Sequence, residues 1–168
     1  MERKIEKLLL DWKNSKKRMP LIVNGARQVG KTYILKDFGN KNYDKLLHVN
    51  LESNFRAREA FESDLIPKNI IERLEAIYGE RIEKGSSLLI LDEIQSSERA
   101  LTSLKYFCED APEYHVAAAG SLLGVAINRE KFSFPVGKVD ELNLYPLDFE
   151  EFLWAMGKLQ LSQIIKQH

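Results

Sequence analysis

Cysteine is almost missing: Cys108 is the only one in 168 residues. A lone thiol excludes an intrachain disulfide. With no secretory leader in view either, a cytoplasmic location is the expectation. An excess of either charge is also missing. The 25 Lys and Arg residues balance 25 Asp and Glu residues, for a formal net charge of zero. No global field therefore demands nucleic acid or an anionic membrane as partner; nucleic acid would have to be met by a local patch. Long apolar runs are absent. The N-terminal "MERKIEKLLLDW" has only three consecutive leucines, too few for a secretory core. The longest uncharged stretch, Val116 to Ile127, falls well short of the ~20 residues that a membrane span requires. His48, His115 and His168 have no Cys or carboxylate at metal-ligand spacing, which argues against a zinc site. Internal repeats and low-complexity linkers are missing too.

The chain does contain a core. Apolar residues make up 44% and charged residues 30%, as in a folded single domain. Apolar spacing predicts an N-terminal helix carrying Ile5, Leu8, Leu9 and Trp12, with a basic end at Lys16, Lys17 and Arg18, stopped by Pro20. Strands are expected at Leu21 to Asn24, Lys45 to Glu52, Ser87 to Glu93, Tyr114 to Gly120 and Val139 to Tyr145. Between them run helical patterns: Lys31 to Gly39, a short one near Phe55, a long one from Pro67 to Gly85, one capped by Ser97, and a closing one from Leu147 to Met156. Strands alternating with helices, three of them apolar throughout, predict a three-layer α/β fold around a mainly parallel five-stranded sheet. The expected organisation is an N-terminal helix (1–19), a core (20–145) and a C-terminal helical segment (146–168).

"NGARQVGKTY", Asn24 to Tyr33, carries the chemistry. Asn-Gly often marks a hairpin, but a hairpin needs a second strand at once, and "KTYILKDF" has helical spacing. Gly25, four residues, then Gly30, Lys31 and Thr32 instead match the phosphate-binding loop. Such a loop turns backbone N–H groups inward around phosphate oxygens, and its glycines permit approaches that a Cβ would block. Lys31 would place charge on the β- and γ-phosphates, and the Thr32 hydroxyl would bind Mg²⁺. The helix that starts here adds its N-terminal dipole. Gly25, Ala26, Arg27, Gln28, Val29, Gly30, Lys31, Thr32 and Tyr33 thus form the candidate ATP-holding segment. Arg27 either meets phosphate or faces solvent.

Such a loop needs an acid for the metal, and "LLILDE" supplies it at a strand end. Asp92 would hold Mg²⁺ beside Thr32. Glu93 would orient and deprotonate an attacking water, a role that ATP hydrolysis needs and transfer to a small acceptor does not. Three further positions are weighed. Ser121, ending the fourth strand, is either a residue near the γ-phosphate or a plain turn residue. Asn50 is either a partner that controls Glu93 or an ordinary strand-end polar group. Arg129 is either an arginine finger for a neighbouring subunit or a solvated surface residue.

"LIVNGARQVGKT", "LLILDEIQ", "AAAGSLLGV" and "FPVGKVDELNLYPLDFEEFL" together resemble the bacterial and archaeal AAA+-type ATPases whose P-loop domain precedes a nuclease-like C-terminal region. The likeness spans about Met1 to Trp154. It implies ATP rather than GTP, in keeping with the lack of an N-K-x-D motif. It implies phosphate and magnesium roles for Gly30, Lys31 and Thr32, magnesium and catalytic roles for Asp92 and Glu93, and a sensor role for Ser121, where AAA+ ATPases more often carry asparagine. It also places the first helix and its Pro20 junction near the adenine. Such proteins continue into a lid and a C-terminal region, so the chain is expected to be a lid-less ATPase core that works as a homo-oligomer or with a partner protein. Mg·ATP binding with slow hydrolysis is the function expected. Its rivals are a nucleotide-dependent switch, a small-molecule kinase and a nucleic-acid-dependent ATPase.

Overall fold

The computed structural model describes residues 3–121 and 134–166. Strands β1 (Leu21–Gly25), β2 (Lys45–Asn50), β3 (Ser87–Asp92), β4 (His115–Ser121) and β5 (Asp140–Asn143) form one sheet in the order β2-β3-β4-β1-β5. All of its pairings are parallel. Side chains alternate across the sheet, as the pleat requires. Leu21, Val23, Leu88, Ile90, Ala117 and Ala119 face one core, shared with helices α1 (Ile5–Asn14) and α2 (Lys31–Asn42). Ile22, Leu89, Leu91, Val116 and Ala118 face the other. That second core is closed by α3 (Phe55–Glu59), α4 (Pro67–Tyr78) and α5 (Glu98–Asp110). Burial on both faces explains why β1, β3 and β4 are apolar throughout. The three-layer α/β architecture is the one the strand and helix patterns predict.

Several boundaries differ from the spacing-based expectations. The long helix ends at Tyr78, not Gly85, because Gly79 takes a left-handed φ of 66° and donates its N–H to the Glu75 carbonyl at 2.8 Å. Left-handed glycine is the usual way to end a helix. Ile82 is still buried, but in the following loop, with its N–H on Glu75 Oε2. The first helix ends at Asn14, so Lys16, Lys17 and Arg18 lie in the turn beyond it. Leu8 is about half exposed, at 49%, while Ile5, Leu9 and Trp12 carry the packing. Helix α2 runs three residues past Gly39.

After β5 come α6 (Phe149–Ala155) and α7 (Leu159–Lys166), divided at Gly157. Asp148 begins α6 with a capping box: its side chain accepts from Glu151 N, and the Glu151 carboxylate accepts from Asp148 N. The same carboxylate receives the Arg3 guanidinium at 3.1 Å and the Lys4 N–H at 2.9 Å. The start of α1 is thereby tied to the segment that follows β5. Because α1 is held at its start to this carboxyl-edge segment, its other end reaches Pro20 at the opposite edge. No helix among the described residues is long and apolar enough to cross a membrane.

Candidate functional site

The site forms where β1, β3 and β4 end. Strand β1 leads directly into α2 through residues 26–30, without a second hairpin strand. Two features set this loop's shape. A β-carbon on Gly25 would meet the Leu144 carbonyl at 2.6 Å, so the close passage of β1 beside the end of β5 requires glycine. Gly30, the residue before α2, has φ of 96°, a left-handed conformation that side chains resist. Gln28 shares it, with φ of 64°. Left-handed residues between right-handed ones turn consecutive N–H groups toward a common point, a concave anion site.

The Lys31 ammonium folds back over this loop, donating to the carbonyls of Gly25 at 2.9 Å and Ala26 at 2.6 Å. Partial burial holds it below the usual lysine range. The carboxylates of Glu93 and Asp92 oppose that shift, and Arg27 adds to it. A partly buried ammonium held by two loop carbonyls at the start of α2 is well placed to accept an anion.

Asp92 shares the parity of Leu88 and Ile90, so it points to the α2 side of the sheet. There Thr32 Oγ1 donates to Asp92 Oδ2 at 2.7 Å. His48 Nε2 meets the same oxygen at 2.8 Å, and the Glu93 N–H donates to Oδ1 at 3.0 Å. Burial opposes ionisation of Asp92, but the hydrogen bonds from His48 and Thr32 outweigh it and hold the carboxyl below its usual range. This pair suits a hard divalent cation: the Thr32 proton is committed to Asp92, which leaves hydroxyl lone pairs facing outward beside a carboxylate.

Glu93 follows with φ of 54°, uncommon for a side chain bearing a Cβ. The bend turns it out of the strand, and Gln95 Nε2 donates to its Oε2 at 2.5 Å. Asn50 is not that partner. Its Oδ1 accepts from the N–H groups of Glu52 and Ser53, and so shapes the turn after β2. Ser121 lies in register with Gly25 on the adjacent strand. Arg129 falls outside the described residues.

Two cavities flank the loop. One, of about 470 Å³, is lined by Arg27, Lys31, Thr32, Glu52, Glu93 and Ser121. The other, of about 850 Å³, lies on the side of β5 and includes Arg3, Ala26, Val29, Tyr33, Pro146 and Leu147. Arg3, two residues before α1, thus lines the cavity beside the loop, and Pro20 does not. Pro20 precedes β1, and five residues at about 3.3 Å each put it on the order of 16 Å away at the opposite edge of the sheet.

His48, Gln95 and Arg3 were not singled out by their sequence context. Parity within β2 puts His48 on the α2 face, yet only the pairing of β2 with β3 brings it to Asp92. Gln95 sits in a short helical turn, Ile94–Ser96, that returns toward Glu93.

Comparison with known proteins agrees with this fold. A family model described as an AAA domain matches residues 17–153. The Aeropyrum pernix ORC2 protein in its ADPNP–ADP complexes superposes with a TM-score of 0.56 at 14% identity, covering 94% of this chain and 50% of that one. Its ADP form gives a TM-score of 0.53 at 15% identity, with the same coverage. The chain therefore spans about half the length of these proteins, and at such identities the likeness carries the fold alone. Comparison with curated protein sequences gives no match. The fold is that of AAA+-type P-loop NTPases, and with the family model spanning most of its length the chain belongs to the AAA domain family.

Proposed function

We propose that this domain binds Mg·ATP and hydrolyses it slowly. The observation that carries the reading is the contact between Thr32 Oγ1 and Asp92 Oδ2 at 2.7 Å, set beside a phosphate-type loop whose carbonyls hold the Lys31 ammonium. The loop amides and Lys31 would hold the β- and γ-phosphates, with the Lys31 ammonium exchanging two carbonyl partners for phosphate oxygens. Thr32 and Asp92 would hold Mg²⁺, directly and through water. A bound Mg²⁺ would neutralise charge on the β- and γ-phosphate oxygens. Glu93 would orient a water and take its proton as the water oxygen bonds to the γ-phosphorus and the bond to the bridging oxygen breaks. Ser121 would lie near the γ-phosphate, and the base would lie in the cavity beside Arg3 and Leu147.

Nucleotide binding by the structural neighbours supports this reading: those ORC2 structures are described as ADPNP–ADP complexes and an ADP form. Kinship with AAA+ ATPases whose core precedes a nuclease-like region is part of the same proposal, and the reading frame downstream of His168 tests it. The contact between Gln95 and Glu93 favours a second reading, a nucleotide-dependent switch in which the base is held away from water until a partner releases it.

Two variants test the assignment. Lys31→Ala is expected to weaken Mg·ATP binding by at least ~100-fold in calorimetry, because charge-assisted bonds to phosphate are lost. Unchanged affinity in a folded variant would overturn the phosphate site. Glu93→Gln is expected to bind ATP normally and lose turnover by about 10²–10⁴-fold. Turnover at the unaltered rate would assign the base elsewhere. Single-turnover hydrolysis separates the ATPase from the switch.

A further inference from the structure

We infer that His48 is the positioning residue of Asp92: its imidazole N–H fixes the carboxylate in the orientation that receives the nucleotide's magnesium ion. The inference rests on the Mg·ATP reading above and deepens it.

The geometry is specific. Asp92 Oδ2 carries two donors, the Thr32 hydroxyl at 2.7 Å and His48 Nε2 at 2.8 Å, while Oδ1 takes the Glu93 N–H at 3.0 Å. An ionised carboxylate offers only lone pairs, so the ring nitrogen facing it carries the proton. The terminal torsion of aspartate is soft and broad. The Glu93 amide pins one oxygen. The other is shared between Thr32, whose hydroxyl is wanted at the cation, and His48, which arrives from the neighbouring strand. The His48 side chain is 23% exposed and that of Asp92 is 6% exposed, so the bond is largely sheltered from competing water. It spans 44 residues of sequence and exists because β2 and β3 run parallel with Asn50 beside Asp92 and His48 beside Ile90. The backbone pairing of β2 with β3 does not depend on what side chain stands at position 48. A ring placed there to hold an acid is therefore separable from a ring placed there to hold the sheet.

Partners behind a metal-holding group typically contribute 10- to 100-fold in metal affinity, by roughly that order. The test measures ADP binding to the whole chain by calorimetry, with excess Mg²⁺ and with EDTA, in His48→Phe, His48→Gln and the unaltered protein. Phe keeps the ring volume without a donor. Gln restores an N–H at about the position of Nε2. The expected result is that the Mg²⁺-dependent gain in ADP affinity falls about tenfold or more in His48→Phe, that most of it returns in His48→Gln, and that affinity in EDTA stays the same in all three. His48→Ala replaces the Phe variant if the latter fails to fold. A gain unchanged in the donor-less variant overturns the inference. So does an equal loss in the Phe and Gln variants, or a loss as large in EDTA as in Mg²⁺, which would mean damage to the loop. If the unaltered chain binds no ADP at all, the nucleotide reading itself falls and takes this inference with it.

Discussion

At Gly25 one hydrogen atom separates a working loop from a blocked one. The Leu144 carbonyl passes where a β-carbon would stand, 2.6 Å away, and it is backbone that cannot swing aside. The next bond in that region, Leu144 N to the Asn24 carbonyl at 2.7 Å, continues the pairing of β1 with β5. Gly25→Ala should therefore cost about 1–3 kcal/mol of stability, as overpacking does, and weaken nucleotide binding as well. Urea denaturation and calorimetry check both, and an alanine variant with full stability and affinity would contradict the account. A different residue contributes pH dependence above the carboxylate range. His115 lies buried at the far edge of the sheet, its Nδ1 2.6 Å from the Tyr43 hydroxyl and its ring edge-on to Tyr43 and Trp12. Burial, with the charges of Arg18 and Lys13 adding to it, lowers its pKa to about 4. The unfolded chain thus takes up a proton that the folded chain refuses between pH 6.5 and about 4. Stability from this group is complete above the unfolded value and is lost as pH falls through that window, at about 1.4 kcal/mol per unit. Between pH 6.5 and pH 5 the unaltered protein should lose about 2 kcal/mol more than His115→Phe does. Equal losses would show that His115 protonates freely.

Among the elements, α1 and α6 are joined by a buried ion pair. The Arg3 and Glu151 side chains are 5% and 8% exposed. Glu151 also completes the capping box of α6 and accepts from Lys4 N, while Arg3 donates to the Tyr145 carbonyl at 2.7 Å. One carboxylate therefore positions the start of two helices and the strand exit between them, beside the larger cavity next to the loop. Glu151→Ala leaves the guanidinium buried without its carboxylate partner and removes the half of the capping box that accepts from Asp148 N, while Asp148 still caps the Glu151 N–H. The expected loss is about 3–5 kcal/mol, the range for breaking a buried pair from one side. Denaturant unfolding measures it, and hydrogen exchange should show the amides of α6 losing protection first. A loss below about 1 kcal/mol, the scale of an exposed pair, would mean that water already solvates the site.

For the whole molecule, the question is what the cavity beside Lys31 and Thr32 would still need to turn over ATP as proposed. Among the described residues, Arg27 is the arginine lining that cavity, and it belongs to the loop itself. On the Mg·ATP reading, we propose that a charge closing on the γ-phosphate from outside is supplied by Arg129 of a neighbouring copy, the sequence-based nominee. Without it, turnover of the isolated domain is expected at or below roughly 10⁻² s⁻¹, the rate of a P-loop hydrolase that carries its own arginine. Steady-state ATPase measured over a wide protein concentration range tests this. A rate per chain that climbs with concentration in the unaltered protein, and stays flat in Arg129→Ala, is the expected outcome. Fast turnover at high dilution would show that the domain needs no neighbour.

Local pattern alone determined the loop at 25–32, the acids that end the third strand, and a parallel sheet buried on both faces. These are encoded within short stretches: a glycine where a Cβ would clash and another where a left-handed φ is needed, a lysine and a threonine at the start of a helix, and strands without a polar side. The sequence could not place His48 against Asp92, Gln95 rather than Asn50 against Glu93, or Arg3 beside the loop. Nor could it show that Pro20 lies at the edge of the sheet opposite the loop. Each of these depends on strand order, register or the path of a turn. Those are decided by which apolar faces bury one another across tens of residues, as when β2 packs beside β3 and carries a histidine to an acid 44 positions away. Periodicity reports which face a residue is on. Only the assembled sheet decides what stands opposite it.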